Sequence, residues 1–95
     1  MTDAQETEGA SVIVLVGDVD LDAVAPLREA VDQAIADRVP HVIFDLSAVT
    51  FLDSTALALF AYAAQHCGVT LRAPSESTCR LLEITGLDAV LEVER

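Results

Sequence analysis

Residues 42–60, VIFDLSAVTFLDSTALALF, change character part-way along, and that change constrains the fold more than any other feature of the chain. Val42-Ile43-Phe44, followed by Leu46, is a short apolar run rich in β-branched and aromatic residues. Such a run predicts a strand buried on both faces, the kind a parallel sheet needs. From Ala56 through Ala64, alanine and leucine dominate and nothing breaks the run, which predicts a helix. Between the two lies Phe51-Leu52-Asp53-Ser54-Thr55. Asp, Ser and Thr directly ahead of an apolar helical run are a helix start signal. A strand therefore hands over to a helix at a polar point. Free backbone N–H groups and the positive end of the helix dipole make that point suited to a hydroxyl or an anion.

The rest of the chain repeats this alternation. Ser11 to Val16, SVIVLV, reads as a strand. A helix is predicted from about Ala23 to Ala36, with Val24, Leu27, Val31 and Ile35 on one face and Pro26 tolerated in the first turn. After Pro40 comes the strand His41 to Leu46, completing a βαβ unit with parallel strands and a right-handed crossover. The second helix, about Ser54 to His66, carries no charge from Thr55 to Gln65, so it is buried or shows one side to a partner. Gly68 reads as its C-cap, and Val69 to Arg72 as a short strand. Pro74-Ser75-Glu76 starts a third helix, which ends at Gly86-Leu87, a glycine C-cap with its hydrophobic contact. Val90 to Val93 adds a last strand or frays. Residues 1–9, MTDAQETEG, are polar and read as a flexible tail, leaving residues 10–95 as one domain, expected to be monomeric. On periodicity alone this is a small α/β domain with a mostly parallel sheet.

Charge and composition exclude several classes. Net charge is −11, and all five basic residues are arginines. Nucleic acid and anionic membrane surfaces both need a basic patch, so neither is an expected partner. No apolar run approaches the ~20 residues of a membrane span. The N-terminus lacks the basic and apolar regions of a signal peptide, which places the chain in the cytoplasm. The acidity serves solubility or steers in a basic partner. Cys67 and Cys79, 12 residues apart, match no redox or zinc spacing, and neither a metal site with His41 and His66 nor a disulfide is expected. The aspartates of Gly17-Asp18-Val19-Asp20-Leu21-Asp22 alternate as in a calcium loop, but no glycine or glutamate falls at the EF-hand spacing. Turn and helix-cap roles suit Asp20 and Asp22 better.

Ser54 could be imagined as a nucleophile with Asp53 and a histidine. The pattern G-x-S-x-G is missing, His41 starts the strand whose far end leads to Ser54, and His66 is roughly 18 Å along the helix at 1.5 Å per residue. There is no phosphate-cradling glycine loop. The chain reads as a binding module, not an enzyme. For Ser54, Thr55 and Asp53 the plain alternative to any chemistry is capping, which contributes ~1 kcal/mol.

Two segments, Asp45-Leu46-Ser47-Ala48-Val49 and Phe51-Leu52-Asp53-Ser54-Thr55, together resemble the signature of the STAS domain, and more narrowly of the bacterial anti-anti-sigma factors. Gly17 to Asp20 resembles the family's G-x-x-D segment, and Arg80 to Asp88 its second signature, L-x-x-x-G-L. The resemblance covers about residues 12–93. It implies a mostly parallel mixed sheet with an antiparallel edge, covered by helices; the apolar edge strand that usually opens the family falls here on the polar residues 1–9 and is expected to be missing, short or weakly formed. It further implies phosphorylation at Ser54 and a partner-binding face of Asp18, Asp20, Asp22, Asp53, Ser54 and Thr55. The implied partner is an anti-sigma factor with serine kinase activity, bound in the unphosphorylated state so that a sigma factor is released, with a PP2C-type phosphatase as the reset. No cofactor is implied for this chain, since ATP and Mg²⁺ belong to the kinase. Other stand-alone STAS domains are accessory subunits of lipid ABC transporters or of signalling assemblies, where phosphorylation need not matter. The family usually has glycine where this chain has Ala56, which implies a slightly altered approach by a partner backbone.

Overall fold

Apolar side chains alternate in burial along two long neighbouring strands, and this shows which side of the sheet is covered. The computed structural model describes residues 2–7 and 10–94. Its elements run β1 (Thr2–Thr7), β2 (Ala10–Val19), α1 (Leu21–Ala36), β3 (His41–Leu52), α2 (Ser54–Ala64), β4 (Gly68–Arg72), α3 (Glu76–Thr85), a 3₁₀ turn (Leu87–Ala89) and β5 (Glu92–Glu94). The strands lie in the order β1-β2-β3-β4-β5. β2 to β5 pair in parallel, and β1 is antiparallel to β2. Each parallel strand is the sequence neighbour of the next, so right-handed crossovers stack α1, α2 and α3 on one face. Ile13 and Leu15 of β2 and Val42, Phe44 and Leu46 of β3 point to that face and are buried. Val12, Val14 and Ile43 alternate with them and are half-exposed on the other.

The helices meet this face with the residues their periodicity predicts, with one shift. On α1 the buried stripe is Leu27, Val31 and Ala34, while Val24 and Ile35 lie at its margins. α2 buries Ala56, Leu57, Leu59, Phe60 and Ala63. Phe60 packs on Phe44 of β3 with ring centroids 4.5 Å apart. Truncating a buried aromatic of this kind costs about 3–5 kcal/mol.

Two expectations are corrected. Thr2–Thr7, expected within a flexible tail, is instead the antiparallel edge strand, with Thr2 opposite Leu15 and Thr7 opposite Ala10. Its polar sequence hides this, because an edge strand is held through backbone N–H and C=O groups that every residue carries. The remainder of the expected tail, residues 1, 8 and 9, lies outside the described residues. Gly68 does not cap α2, whose C-cap is Gln65; it opens β4 beside His41. A side chain at position 68 would collide with the His41 ring, which also hydrogen-bonds Thr70 Oγ1 through Nε2 at 2.6 Å.

β3 also runs further than the expected His41–Leu46, to Leu52. β4 pairs with it only over His41–Asp45, and β1 pairs with β2 only as far as Leu15. Beyond those points, among the described residues, β2 and β3 pair only with each other as a two-stranded ribbon, Val16–Val19 beside Ala48–Leu52, with register shifts between Val14 and Val16 and between Gly17 and Asp18. Such irregularities bend and twist a strand pair. Gly17 lies at the second shift with φ +79°, a backbone conformation open to glycine at little cost.

Candidate functional site

The ribbon ends where both of its strands turn into helices, and the two helix starts lie side by side. The backbone N–H of Asp53 donates to Val19 O at 2.9 Å, fastening one exit to the other. Across the ribbon, Thr50 Oγ1 donates to Asp18 Oδ1 at 2.7 Å. Asp20 is the N-cap of α1, accepting from the N–H groups of Asp22 at 3.1 Å and Ala23 at 3.3 Å. Asp53 is the N-cap of α2, accepting from Thr55 N–H at 2.9 Å. Thr55 Oγ1 donates to the same carboxylate oxygen at 3.0 Å. These bonds to the charged form, the backbone one first, hold the Asp53 carboxyl below its usual value of 3.8.

Ser54 is therefore the first residue of α2 and not its cap. It is exposed, and its hydroxyl reaches Asp53 Oδ1 only at 3.4 Å, against 3.0 Å for Thr55. The carboxylate is engaged mainly by Thr55, and the Ser54 hydroxyl faces solvent at the N-terminal end of a helix. Of the sequence-derived site residues, Asp18, Asp20, Asp22, Asp53, Ser54 and Thr55 all belong to these two strand-to-helix junctions. Exposed apolar side chains accompany them: Phe51, 55% exposed and opposite Asp18 in the register, and Leu21, 70% exposed at the first position of α1. Sequence reasoning passed over Thr50, Phe51 and Leu21. The ribbon pairing that brings Thr50 and Phe51 to Asp18 becomes legible only once β3 is extended to Leu52.

The STAS domain family profile matches residues 1–95. The anti-sigma-F factor antagonist RsfB of Mycobacterium tuberculosis is 33% identical over 84 residues, covering 84% of this chain and 69% of RsfB. The chain belongs to the STAS domain family. An anti-sigma factor antagonist from Mycobacterium paratuberculosis shares 30% identity with this STAS domain and superposes with a TM-score of 0.89, over 99% of this chain and 84% of its own. SpoIIAA shares only the fold at 20% identity. Its unphosphorylated form gives a TM-score of 0.83 over all of this chain and 88% of its own, and the form from Bacillus solved phosphorylated gives 0.80 over all of this chain and 92% of its own.

Against the STAS pattern, Ala56 departs from the usual glycine without altering the face a partner meets. Its exposure is 0%, so the methyl group fills the core beneath the first turn of α2. The expectation that it affects a partner's approach is corrected on that ground. Arg72, the basic residue nearest Ser54 in the order of elements, is tied elsewhere. It pairs with Glu94 at 3.2 Å and lies opposite Asp45, roughly 20 Å back along β3 at about 3.3 Å per residue. Asp45 itself turns inward on its own chain, accepting from the N–H and hydroxyl of Ser47 at 3.0 and 2.7 Å. His41 sits at the opposite end of β3 from Ser54. Among the described residues no group of three His, Cys, Asp or Glu is placed to hold a metal ion, and no helix is long and apolar enough to cross a membrane.

Proposed function

We propose that this STAS domain is an anti-sigma factor antagonist. Unphosphorylated, it binds an anti-sigma factor that is also a serine kinase; phosphorylation of Ser54 ends the complex, and a PP2C-type phosphatase restores it. The observation that carries the reading is the Ser54 hydroxyl, exposed at the first position of α2 while Asp53 does the capping and holds Thr55. The name and identity of RsfB support the antagonist role, and the phosphorylated form of SpoIIAA shows that a protein of this fold accepts the modification.

The chemistry follows from the charges around Ser54. Phosphate adds about −1.5 to −2 charge units. The free N–H groups and the dipole of α2 favour an anion there, so the isolated domain keeps its fold. The neighbouring carboxylates are Asp53 on the same turn and Asp18 and Asp20 at the adjoining junction, while Arg28, on the same groove as Thr55, is paired with Asp32 and Arg72 with Glu94. A dianion desolvated beneath a partner, against carboxylates on either side, loses more than its own helix returns. A thousandfold loss of affinity requires only ~4 kcal/mol, so no rearrangement of the domain is needed. The test is phosphate transfer from the host's anti-sigma factor with ATP and Mg²⁺, followed by peptide mapping. Label is expected at Ser54, and none in Ser54→Ala. If the alanine variant takes up phosphate at the wild-type rate, Ser54 is the wrong acceptor.

A further inference from the structure

An open groove of about 470 Å³ runs between α1 and α2, within the range of about 300–1,000 Å³ typical of apolar binding sites. Val24 and Leu59 form its floor, and Leu21, Thr55 and Ala58 its exposed sides. Three interlocked groups close the far end. The Arg28 guanidinium stacks 4.5 Å over the Tyr62 ring, Arg28 Nε pairs with Asp32 Oδ2 at 3.3 Å, and the Tyr62 hydroxyl donates to Asp32 Oδ1 at 2.9 Å. The near end opens at the helix starts: Thr55 lines the groove and follows Ser54, and Leu21 lines it between Asp20 and Asp22.

We propose that this groove takes an apolar anchor from an amphipathic, basic segment of the same anti-sigma factor that approaches Ser54. This rests on the function proposed above and names how that partner is held. Two observations select the occupant. The solvent side of α2 along the groove is small and uncharged: Thr55 and Ala58 are exposed, and no ionisable side chain other than Tyr62 occurs from Thr55 to Gln65. Small side chains let another backbone approach closely and lose little freedom when covered. The mouth is acidic, with Asp20, Asp22 and Asp53 around it in a chain of net charge −11. An apolar segment flanked by Lys or Arg matches both features, whereas a second copy of this chain would bring its own acidic mouth against the first. Phosphate on Ser54 would then stand at the edge of a covered, dehydrated groove, where its charge weighs most.

The test is the affinity of the purified host anti-sigma factor for the intact chain and its variants, by calorimetry at low and high salt. Ala58→Arg places a large cation in the groove at an exposed position. It is expected to weaken binding about 100-fold with melting unchanged. Leu21→Ser, at the rim, is expected to cost about tenfold and serves should Ala58→Arg melt early. Binding by the unaltered chain is expected to weaken as salt rises. If the unaltered chain binds and Ser54→Glu weakens it, yet Ala58→Arg and Leu21→Ser bind like the parent, the groove is overturned and the function stands. If the unaltered chain does not bind at all, both fall. A dimer of the chain alone, split by Ala58→Arg, would give the groove to a second copy and overturn the proposal.

Discussion

α1 and α2 begin as near twins and differ in what they offer a partner. Each follows a strand of the same ribbon, and each is capped by an aspartate, Asp20 or Asp53, that accepts from the N–H two residues on. At the next two positions α1 has Leu21 and Asp22, whereas α2 has Ser54 and Thr55. The same backbone geometry thus carries a fixed negative charge with an apolar knob in one case and two hydroxyls in the other. Capping geometry alone does not make a switch. In the function proposed above, the switch belongs to the end whose first turn lacks a charge, because an added phosphate would change the local field most there.

The comparison is sharpened most by phosphate itself. Phosphorylation of Ser54 is expected to weaken binding of the anti-sigma factor by about a thousandfold, equivalent to ~4 kcal/mol, and Ser54→Glu by less because it carries less charge. Calorimetry on the two forms checks this, and equal affinities would break the distinction between the two helix starts. Amide shifts confined to residues near Ser54, with little change in melting, are expected alongside. Shifts spread across the sheet would show instead that phosphate acts by altering the fold.

Next come the caps. Asp20→Ala removes two acceptor contacts and is expected to cost about 1 kcal/mol, a fall in Tm of about 4–8 °C for a domain of this size. Asp53→Ala is expected to lower Tm further, since that carboxylate also holds the Thr55 hydroxyl and touches Ser54. Equal falls would mean that these extra contacts contribute nothing.

Acid titration gives a smaller effect. The Asp53 pKa is lowered by bonds to its charged form, so the support it lends is complete above about pH 4 and is lost as pH falls through the depressed value. Carbon-detected NMR should place its midpoint below 3.8, and a midpoint at or above that value would detach Asp53 from its capping role.

Ser54→Ala is expected to change least in stability, within about 0.5 kcal/mol, because Ser54 carries no cap. A loss as large as that of Asp20→Ala would show that the hydroxyl is structural.

The strand-to-helix junction was legible in residues 42–60 because apolar periodicity and a polar start signal coincide there. The six site residues were implied by the family resemblance, and the structure gathers them because parallel strands joined by right-handed crossovers put their exits at one end of the sheet. What was hidden depended on partners. Thr2–Thr7 pairs through its backbone and carries no apolar signature of its own. Leu46 marks the end of the apolar run but not of β3, because the stretch Ala48 to Leu52 runs beside β2 alone and has no need to be buried on both faces. Ala56 reads as a surface substitution near Ser54, yet two residues' rotation along α2, about 200°, turns it into the core.

The ribbon of Val16–Val19 and Ala48–Leu52 has a mechanical consequence. Among the described residues these segments make their ladder bonds only with each other, while Val19 and Leu52 at their far end are anchored in the helix-covered core. A change within the ribbon loads few bonds in the sheet behind it. The orientation of Ser54, Phe51 and Asp18 can therefore diverge between members of a family by local changes in the bulges, while the core packed around Phe44 and Phe60 keeps the same frame. Recognition of a new partner then needs only a re-aimed ribbon.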